Sequence, residues 1–148
     1  MIAGLIRGLQ PDVVIETGAA FGQTTAMILA ALDENQHGML ITCEIDPQRR
    51  LGITPHPRLI ILGNSLDVNP AEFAPIDFVF FDSLPELRVP EFRFYRRYMR
   101  SGTIVAWHDT AAQASGGLGK ALREEIEQLN LSLIHLPTPR GLTLAEIK

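Results

Sequence analysis

Side chains that can bind a ligand or move a proton follow five apolar segments of the chain. Carboxylates and amides form hydrogen bonds with polar groups of a ligand, and an imidazole exchanges a proton near neutral pH. The pattern therefore indicates a binding site that also has groups for acid–base chemistry. In chain order these residues are Glu16, Glu44, Asn64, Ser65, Asp82, His108 and Asp109.

The apolar segments are short and rich in β-branched or aromatic residues, so they predict strands buried in a parallel sheet. They cover residues 13–15, 40–43, 59–62, 78–81 and 103–107. Helices are predicted between them at 23–33, from Pro47, over 86–100 and along an apolar face at 118–129. Residues 131–136 and 142–147 flank a Pro- and Gly-containing turn and predict a closing hairpin. We therefore expect an α/β fold, Rossmann-like and doubly wound, with a mostly parallel seven-stranded sheet and an antiparallel C-terminal hairpin strand.

The turn after the first strand carries Gly18 and Gly22. Ligands of open parallel sheets bind outside the carboxyl ends of the strands, and glycine lets the backbone approach them closely. A dinucleotide-binding turn would place two further glycines where this chain has Ala20 and Gln23, which disfavours an oxidoreductase. Glu44 after the second strand is suited to accept both hydroxyls of a ribose, as an acid does in many nucleotide-binding folds.

From Gln10 onwards the chain resembles the class I S-adenosylmethionine-dependent methyltransferases. It looks most like the small-molecule O-methyltransferases related to catechol O-methyltransferase. Each motif is weak alone, but five occur in the family's order. They are Glu16-x-Gly18-x-x-x-Gly22, Cys43-Glu44-Ile45-Asp46-Pro47, Gly63-Asn64-Ser65, Ile76-Asp77-Phe78-Val79-Phe80-Phe81-Asp82 and Gly102-Thr103-Ile104-Val105.

The resemblance implies that residues after successive strands hold S-adenosylmethionine. The helix that starts near Thr24 would help to bind the carboxylate of the cofactor, as helix N-termini do. The implied contacts are Glu16 and Gly18 with the methionine part, Thr24 with its carboxylate, Glu44 with the ribose, Asn64 and Ser65 with the adenine, and Asp82 with the region of the transferring methyl group. Gly22 belongs to the same cofactor-binding turn as Glu16 and Gly18.

The resemblance also implies a candidate site for a divalent cation such as magnesium. In the metal-dependent relatives, the acid matching Asp82 binds the ion together with two consecutive residues after the fifth strand, which here are His108 and Asp109. Magnesium favours oxygen ligands and a nitrogen suits a transition metal better, so a cation remains one alternative. In the other alternative no cation is bound, Asp82 forms a hydrogen bond with the cofactor, and His108 faces the substrate or solvent.

A lysine base often follows the matching aspartate in the metal-dependent relatives, whereas Ser83-Leu84-Pro85 stands here. His108 is then the first candidate for a catalytic base, because its unperturbed pKa lies near neutrality. Asp109 is the second candidate, and Asp82 completes the predicted catalytic set.

Composition limits the remaining classes. A net charge of −4 disfavours nucleic-acid binding. The single cysteine, Cys43, excludes an internal disulfide. We expect neither a signal peptide nor a membrane span, because the first residues lack a basic start with a long apolar stretch and no segment reaches about 20 apolar residues. We expect a cytoplasmic enzyme of one domain, residues 1–148, that acts on a small molecule.

Few residues precede the first predicted strand, so we expect only a minimal N-terminal cap over the site. A homo-oligomer that completes the site is one expectation. Two alternatives stay open: a cofactor-binding domain that relies on a partner for catalysis, and a nucleotide-dependent oxidoreductase.

Overall fold

The computed structural model of the chain describes residues 1–111 and 117–148. Its sheet has seven strands in the order β3-β2-β1-β4-β5-β7-β6. The first five strands are parallel, and β7 pairs antiparallel with both β5 and β6. The predicted fold class is confirmed. The strands are β1 (Val13–Thr17), β2 (Met39–Cys43), β3 (Leu59–Leu62), β4 (Ile76–Phe81), β5 (Met99–His108), β6 (Leu133–Leu136) and β7 (Leu142–Glu146).

Helices cover both faces of the sheet. Successive strand side chains point to opposite faces, so Val14 of β1 packs with α1 and α2, whereas Ile15 packs with α4 and α5. Two short 3-10 helices, Pro70–Glu72 and Pro85–Leu87, precede β4 and α4. The α-helices are α1 (Ile2–Leu9), α2 (Gln23–Asn35), α3 (Pro47–Gly52), α4 (Arg88–Arg96) and α5 (Lys120–Gln128).

The first helix, α1, was not predicted from the sequence. It buries Ile2, Ala3 and Ile6 against α2, and Arg7 forms an ion pair with Glu34 at the exposed edge of that contact. An eight-residue helix is too short to be stable alone, so packing against α2 supplies its stability.

The predicted helix over 86–100 was wrong at its C-terminal end. The α-helix ends at Arg96, and β5 begins at Met99 because Met99 pairs with Ile76 of β4. The hydroxyl of Thr103 donates to the carbonyl of Ile76 at 2.6 Å, which holds the irregular start of β5 in place. Strand pairing therefore determines the conformation of Met99 and Arg100, and it overrides the local helix propensity of these two residues.

The strand order reverses beside β1, which lies between β2 and β4. The chain leaves β1 towards β2 and β3, and then crosses back to β4 on the other side. The carboxyl ends of β1 and β4 therefore border the crevice in which open α/β sheets bind ligands. No helix among residues 1–111 and 117–148 is long and apolar enough to cross a membrane.

Candidate functional site

The turn after β1 requires glycine at position 18. The φ of Gly18 is +80°, and a Cβ built there would lie 2.5 Å from the main-chain oxygen of Asp82. Side chains of L-residues are disfavoured at this φ, and the contact leaves no room for a methyl group. The Gly18 amide donates to the carbonyl of Cys43 at 2.9 Å. The ends of β1, β2 and β4 are thereby held together, and Gly22, at φ 77°, leads into α2.

Glu16 is a buried carboxylate at the end of β1 with one oxygen that the described residues leave unused. Its Oε2 accepts hydrogen bonds from the hydroxyls of Thr25 and Thr42, both at 2.6 Å. Its Oε1 is buried and has no partner in the described part of the chain. Burial raises the pKa of the Glu16 carboxyl, against the opposing effect of the two hydroxyls. Since an unpaired buried oxygen is destabilising, this position suits a hydrogen-bond donor of a ligand.

Glu44 is fixed by main-chain donors at the end of β2. Its Oε2 accepts from the amide of Ala20 at 2.7 Å, and its Oε1 accepts from the amide of Asp46 at 2.9 Å. The side chain therefore bridges the glycine turn and the start of α3. Each carboxylate oxygen can accept a second hydrogen bond, so the group retains capacity for two hydroxyls of a ligand.

Asn64 and Ser65, the two predicted site residues after β3, form hydrogen bonds with different parts of the protein. The Asn64 side chain caps its own turn: its oxygen accepts from the amide of Leu66 at 3.2 Å, and its nitrogen donates to Asp67 at 3.1 Å. The Ser65 hydroxyl donates at 2.5 Å to Glu91, a fully buried residue of α4. Ser65 thus faces the protein interior rather than open space beside the turn.

Asp82 and His108 meet at the ends of β4 and β5. The Nδ1 atom of His108 lies 2.7 Å from Oδ1 of Asp82 and 3.3 Å from Oδ1 of Asp109. An ionised carboxylate only accepts hydrogen bonds, so this contact favours the tautomer protonated at Nδ1 and leaves Nε2 with a free lone pair. The hydrogen bond that His108 donates to Asp82 raises the pKa of His108, while partial burial lowers it.

Two arginines hold the segment that follows β5. Arg140 donates through Nε to Oδ1 of Asp109 at 2.5 Å and through Nη2 to the other carboxylate oxygen. The buried Arg88 donates through Nη2 to the carbonyls of His108 and Asp109, each at 3.1 Å. One guanidinium thus fixes the main chain, while the other binds the Asp109 side chain.

The same segment contains a candidate cation site. Ligand atoms of Asp82, His108 and Asp109 all lie within 4.8 Å of one another. Two carboxylates and an imidazole are a donor set suited to a divalent transition metal. The bidentate pair with Arg140 already places one positive charge against Asp109.

A cleft of about 170 Å³ lies beside His108. It has walls from α1, α2, β4 and the turn between β6 and β7. Apolar walls with a few convergent polar groups are typical of small-molecule sites. The lining residues are Met1, Ile2, Met27, Phe80 and Leu142, with Thr24, His108 and Thr138 as the polar members.

Glu91, Arg88 and Arg140 contact the site but were not predicted from the sequence. For two of them a signal existed, because Arg88 and Glu91 share the i, i+3, i+4, i+7 spacing of Phe92 and Tyr95 on the buried face of α4. Charged residues on such a face indicate partners in the interior. Arg140 has no comparable signal, since its position depends on the turn between β6 and β7.

Comparison with known proteins identifies the family. A sequence profile described as a methyltransferase domain matches residues 15–110, from β1 to the residue after Asp109. The chain belongs to this family of methyltransferases, which confirms the predicted class of enzyme and favours it over the oxidoreductase alternative. A comparison with curated protein sequences finds no match.

Solved structures share the fold at low sequence identity. An SAH-bound methyltransferase from Podospora anserina superposes with a TM-score of 0.82 at 14% identity, covering 99% of this chain and 76% of that chain. An O-methyltransferase from Bacillus cereus in complex with SAH has a TM-score of 0.79 at 18% identity, with 99% and 79% covered. An O-methyltransferase from Streptomyces achromogenes, involved in tomaymycin synthesis and determined with SAM, has a TM-score of 0.77 at 20% identity, with 99% and 78% covered. These likenesses establish a common fold.

Proposed function

We propose that this chain, as one methyltransferase domain over residues 1–148 with α1 as its minimal cap, transfers a methyl group from S-adenosylmethionine to a hydroxyl of a small molecule. The observation that carries the proposal is the Asp82–His108 pair, whose imidazole also lines the cleft. Family membership supports methyl transfer, and the neighbours determined with SAM or SAH support the choice of cofactor.

The cofactor would lie along the ends of β1 and β2. The unpaired Oε1 of Glu16 fits the amino group of the methionine part, and the fixed carboxylate of Glu44 fits the ribose hydroxyls. Gly18 and Gly22 permit close approach of the main chain, and Thr24 opens α2 beside the cleft. Asn64 and Ser65 would border the adenine through their main chain, because both side chains already have partners within the protein.

S-adenosylmethionine supplies the methyl group as an electrophilic sulfonium. His108 would act as the base: Nε2 takes the proton of the acceptor hydroxyl while its oxygen forms a bond to the methyl carbon and the carbon–sulfur bond breaks. The products are a methyl ether, a neutral thioether and protonated His108. Asp82 would stabilise that imidazolium through its hydrogen bond with Nδ1.

A divalent cation is the alternative use of the same residues. Asp82, His108 and Asp109 would be its protein ligands, and the ion would lower the pKa of a bound hydroxyl. The nitrogen donor favours a transition metal over magnesium. We propose that the Asp82–His108 pair acts without a metal, and the ion pair between Arg140 and Asp109 supports this choice because it competes with a cation for the same carboxylate.

Calorimetry with S-adenosylmethionine, S-adenosylhomocysteine and NAD tests the cofactor. We expect binding of both sulfur compounds and none of NAD. Binding of NAD with no response to either sulfur ligand would overturn the proposal. A screen of phenols, catechols and aliphatic alcohols with radiolabelled cofactor then tests the acceptor class. Repeating the screen with a chelator distinguishes the two mechanisms. Activity should persist if His108 acts as the base and should be lost if a divalent cation activates the hydroxyl.

A further inference from the structure

Glu91 lies in the first turn and a half of α4, on the face of the helix that packs against the sheet. Its side chain is 0% exposed, so it does not contact solvent. No lysine or arginine of the described residues forms an ion pair with it, and burial raises the pKa of its carboxyl. A buried carboxylate without a cationic partner is costly. Hydrogen bonds from neutral donors must therefore compensate for the burial of this carboxylate.

Three hydroxyls from three different strand ends donate to this one carboxylate. Thr17 at the end of β1 and Ser83 after β4 donate to Oε2 at 3.1 and 2.6 Å. Ser65 after β3 donates to Oε1 at 2.5 Å. Both oxygens are thus occupied, and Glu91 connects segments that are separate in sequence.

Each donor is adjacent to a residue of the proposed cofactor site. Thr17 precedes Gly18, Ser65 follows Asn64, and Ser83 follows Asp82. Displacing any of the three hydroxyls would therefore move main chain that borders the cofactor.

One turn further along α4, Tyr95 supports the same arrangement. Its hydroxyl donates to the main-chain carbonyl of Ser65 at 2.7 Å. The segment after β3 is thus held through its side chain by Glu91 and through its main chain by Tyr95. A rigid helix on one face of the sheet fixes loops at its carboxyl edge.

We propose that Glu91 is a positioning residue whose carboxylate holds the three cofactor-binding segments in register without touching the cofactor. This inference rests on the proposed function, because it takes S-adenosylmethionine to bind at those segments. Misplacement of binding groups by even about 1 Å is enough to lower affinity or rate strongly. The role is distinct from that of Glu16, whose unpaired Oε1 is proposed to bind the cofactor directly.

The first test measures the affinity for S-adenosylhomocysteine by calorimetry and the thermal stability without ligand. Glu91→Ala leaves the buried hydroxyls of Thr17 and Ser65 and the partly buried hydroxyl of Ser83 without their acceptor, so we expect affinity to fall about tenfold or more. Glu91→Gln keeps the side-chain shape, and its amide can pair with hydroxyls that rotate, so we expect it to restore most of the affinity.

Phe92→Leu is the matched control for general destabilisation. Phe92 is buried in the same helix but packs against Trp107, with ring centroids 5.4 Å apart. We expect this variant to lose stability while binding S-adenosylhomocysteine like the unmodified protein. The proposal is overturned if Glu91→Ala keeps normal affinity, or if Phe92→Leu weakens binding as much as Glu91→Ala does.

Amide hydrogen exchange without cofactor separates this inference from the proposed function. Glu91→Ala should accelerate exchange in residues 17–18, 64–66 and 82–84 and leave the β6–β7 hairpin unchanged. If the unmodified protein binds neither S-adenosylmethionine nor S-adenosylhomocysteine, the proposed function fails while the exchange result still decides whether Glu91 holds these segments. Unchanged exchange there would overturn the role of Glu91.

Discussion

The two halves of the carboxyl edge differ in how their charged groups are held. At the ends of β1 and β2, Glu16 and Glu44 are almost fully buried and accept hydrogen bonds from neutral hydroxyls and main-chain amides. At the ends of β4 and β5, Asp82 and His108 are partly exposed and paired with each other. The first half thus has fixed charges suited to binding, and the second has a titratable pair suited to moving a proton.

This difference predicts which quantity each substitution changes. Substitutions in the β1–β2 half should alter cofactor affinity, whereas substitutions in the β4–β5 half should alter turnover with little change in cofactor affinity. The following experiments test the division, from the largest expected effect to the smallest.

His108→Ala should lower methyl transfer by about 100- to 10,000-fold, the usual contribution of a general base. The Kd of S-adenosylmethionine should stay close to that of the unmodified protein. Single-turnover assays with an acceptor from the screen measure the rate, and calorimetry measures the affinity. His135→Ala on β6 is the matched control and should retain normal turnover. Normal activity of the His108→Ala enzyme would contradict the role of His108 as the catalytic base.

Gly18→Ala should weaken cofactor binding and destabilise the protein by about 1–3 kcal/mol, because it forces an alanine into a left-handed conformation against the Asp82 main chain. Chemical denaturation and calorimetry measure the two effects. Gly8→Ala in α1 is the control: nothing lies within 4 Å of its Cβ position, so alanine should slightly stabilise that helix. Normal cofactor binding by Gly18→Ala would contradict the role of the turn.

Glu44→Gln should reduce S-adenosylmethionine affinity about tenfold. The substitution replaces one of the two carboxylate oxygens by an NH₂ group, which cannot accept a hydrogen bond. One of the two main-chain hydrogen bonds and one proposed hydrogen bond from a ribose hydroxyl are then lost. Once the enzyme is saturated, turnover should be nearly normal. Titration at fixed acceptor concentration separates KM for the cofactor from kcat. A large loss of kcat with unchanged KM would break the division between the two halves.

Turnover should rise with pH by about tenfold for each pH unit below the pKa of His108, because only neutral imidazole accepts a proton. The hydrogen bond that His108 donates to Asp82 raises that pKa above its usual value, so the rise should end above about pH 6.5. Asp82→Asn removes this effect and should move the midpoint to lower pH while reducing the plateau. A pH profile of kcat/KM for both proteins measures the shift, and identical midpoints would contradict the assigned pair.

Arg140→Gln should raise the affinity of the Asp82–His108–Asp109 cluster for Mn²⁺ by about a few-fold. The substitution removes a positive charge from Asp109, and an exposed ion pair contributes only about that much free energy. Electron paramagnetic resonance of free Mn²⁺ measures the binding. Arg93→Gln, whose partner is Glu125 on α5, is the control. Binding that survives loss of both the Asp82 and Asp109 carboxylates would place any cation elsewhere.

Much of the site was predictable because strand ends are local features. Short apolar segments located β1 to β4, and the polar residue at or just after the end of each strand then falls on the same edge of a parallel sheet. The cation cluster was predicted from the resemblance, and its three residues do lie together. The start of β5 and the whole of α1 were missed, because pairing with Ile76 and packing against α2 determine them.

The sequence by itself determined the order of the strands along the chain, the glycine turn from Glu16 to Gly22 and the acids that follow the strands. These depend on side-chain type and short spacing. The tertiary structure decided which partners these groups have. Thr17 and Glu91 are 74 residues apart in sequence, and Asp109 and Arg140 are 31 apart. Such contacts arise only when helices pack on the sheet, so no local pattern could distinguish the half of the edge that binds from the half proposed to react.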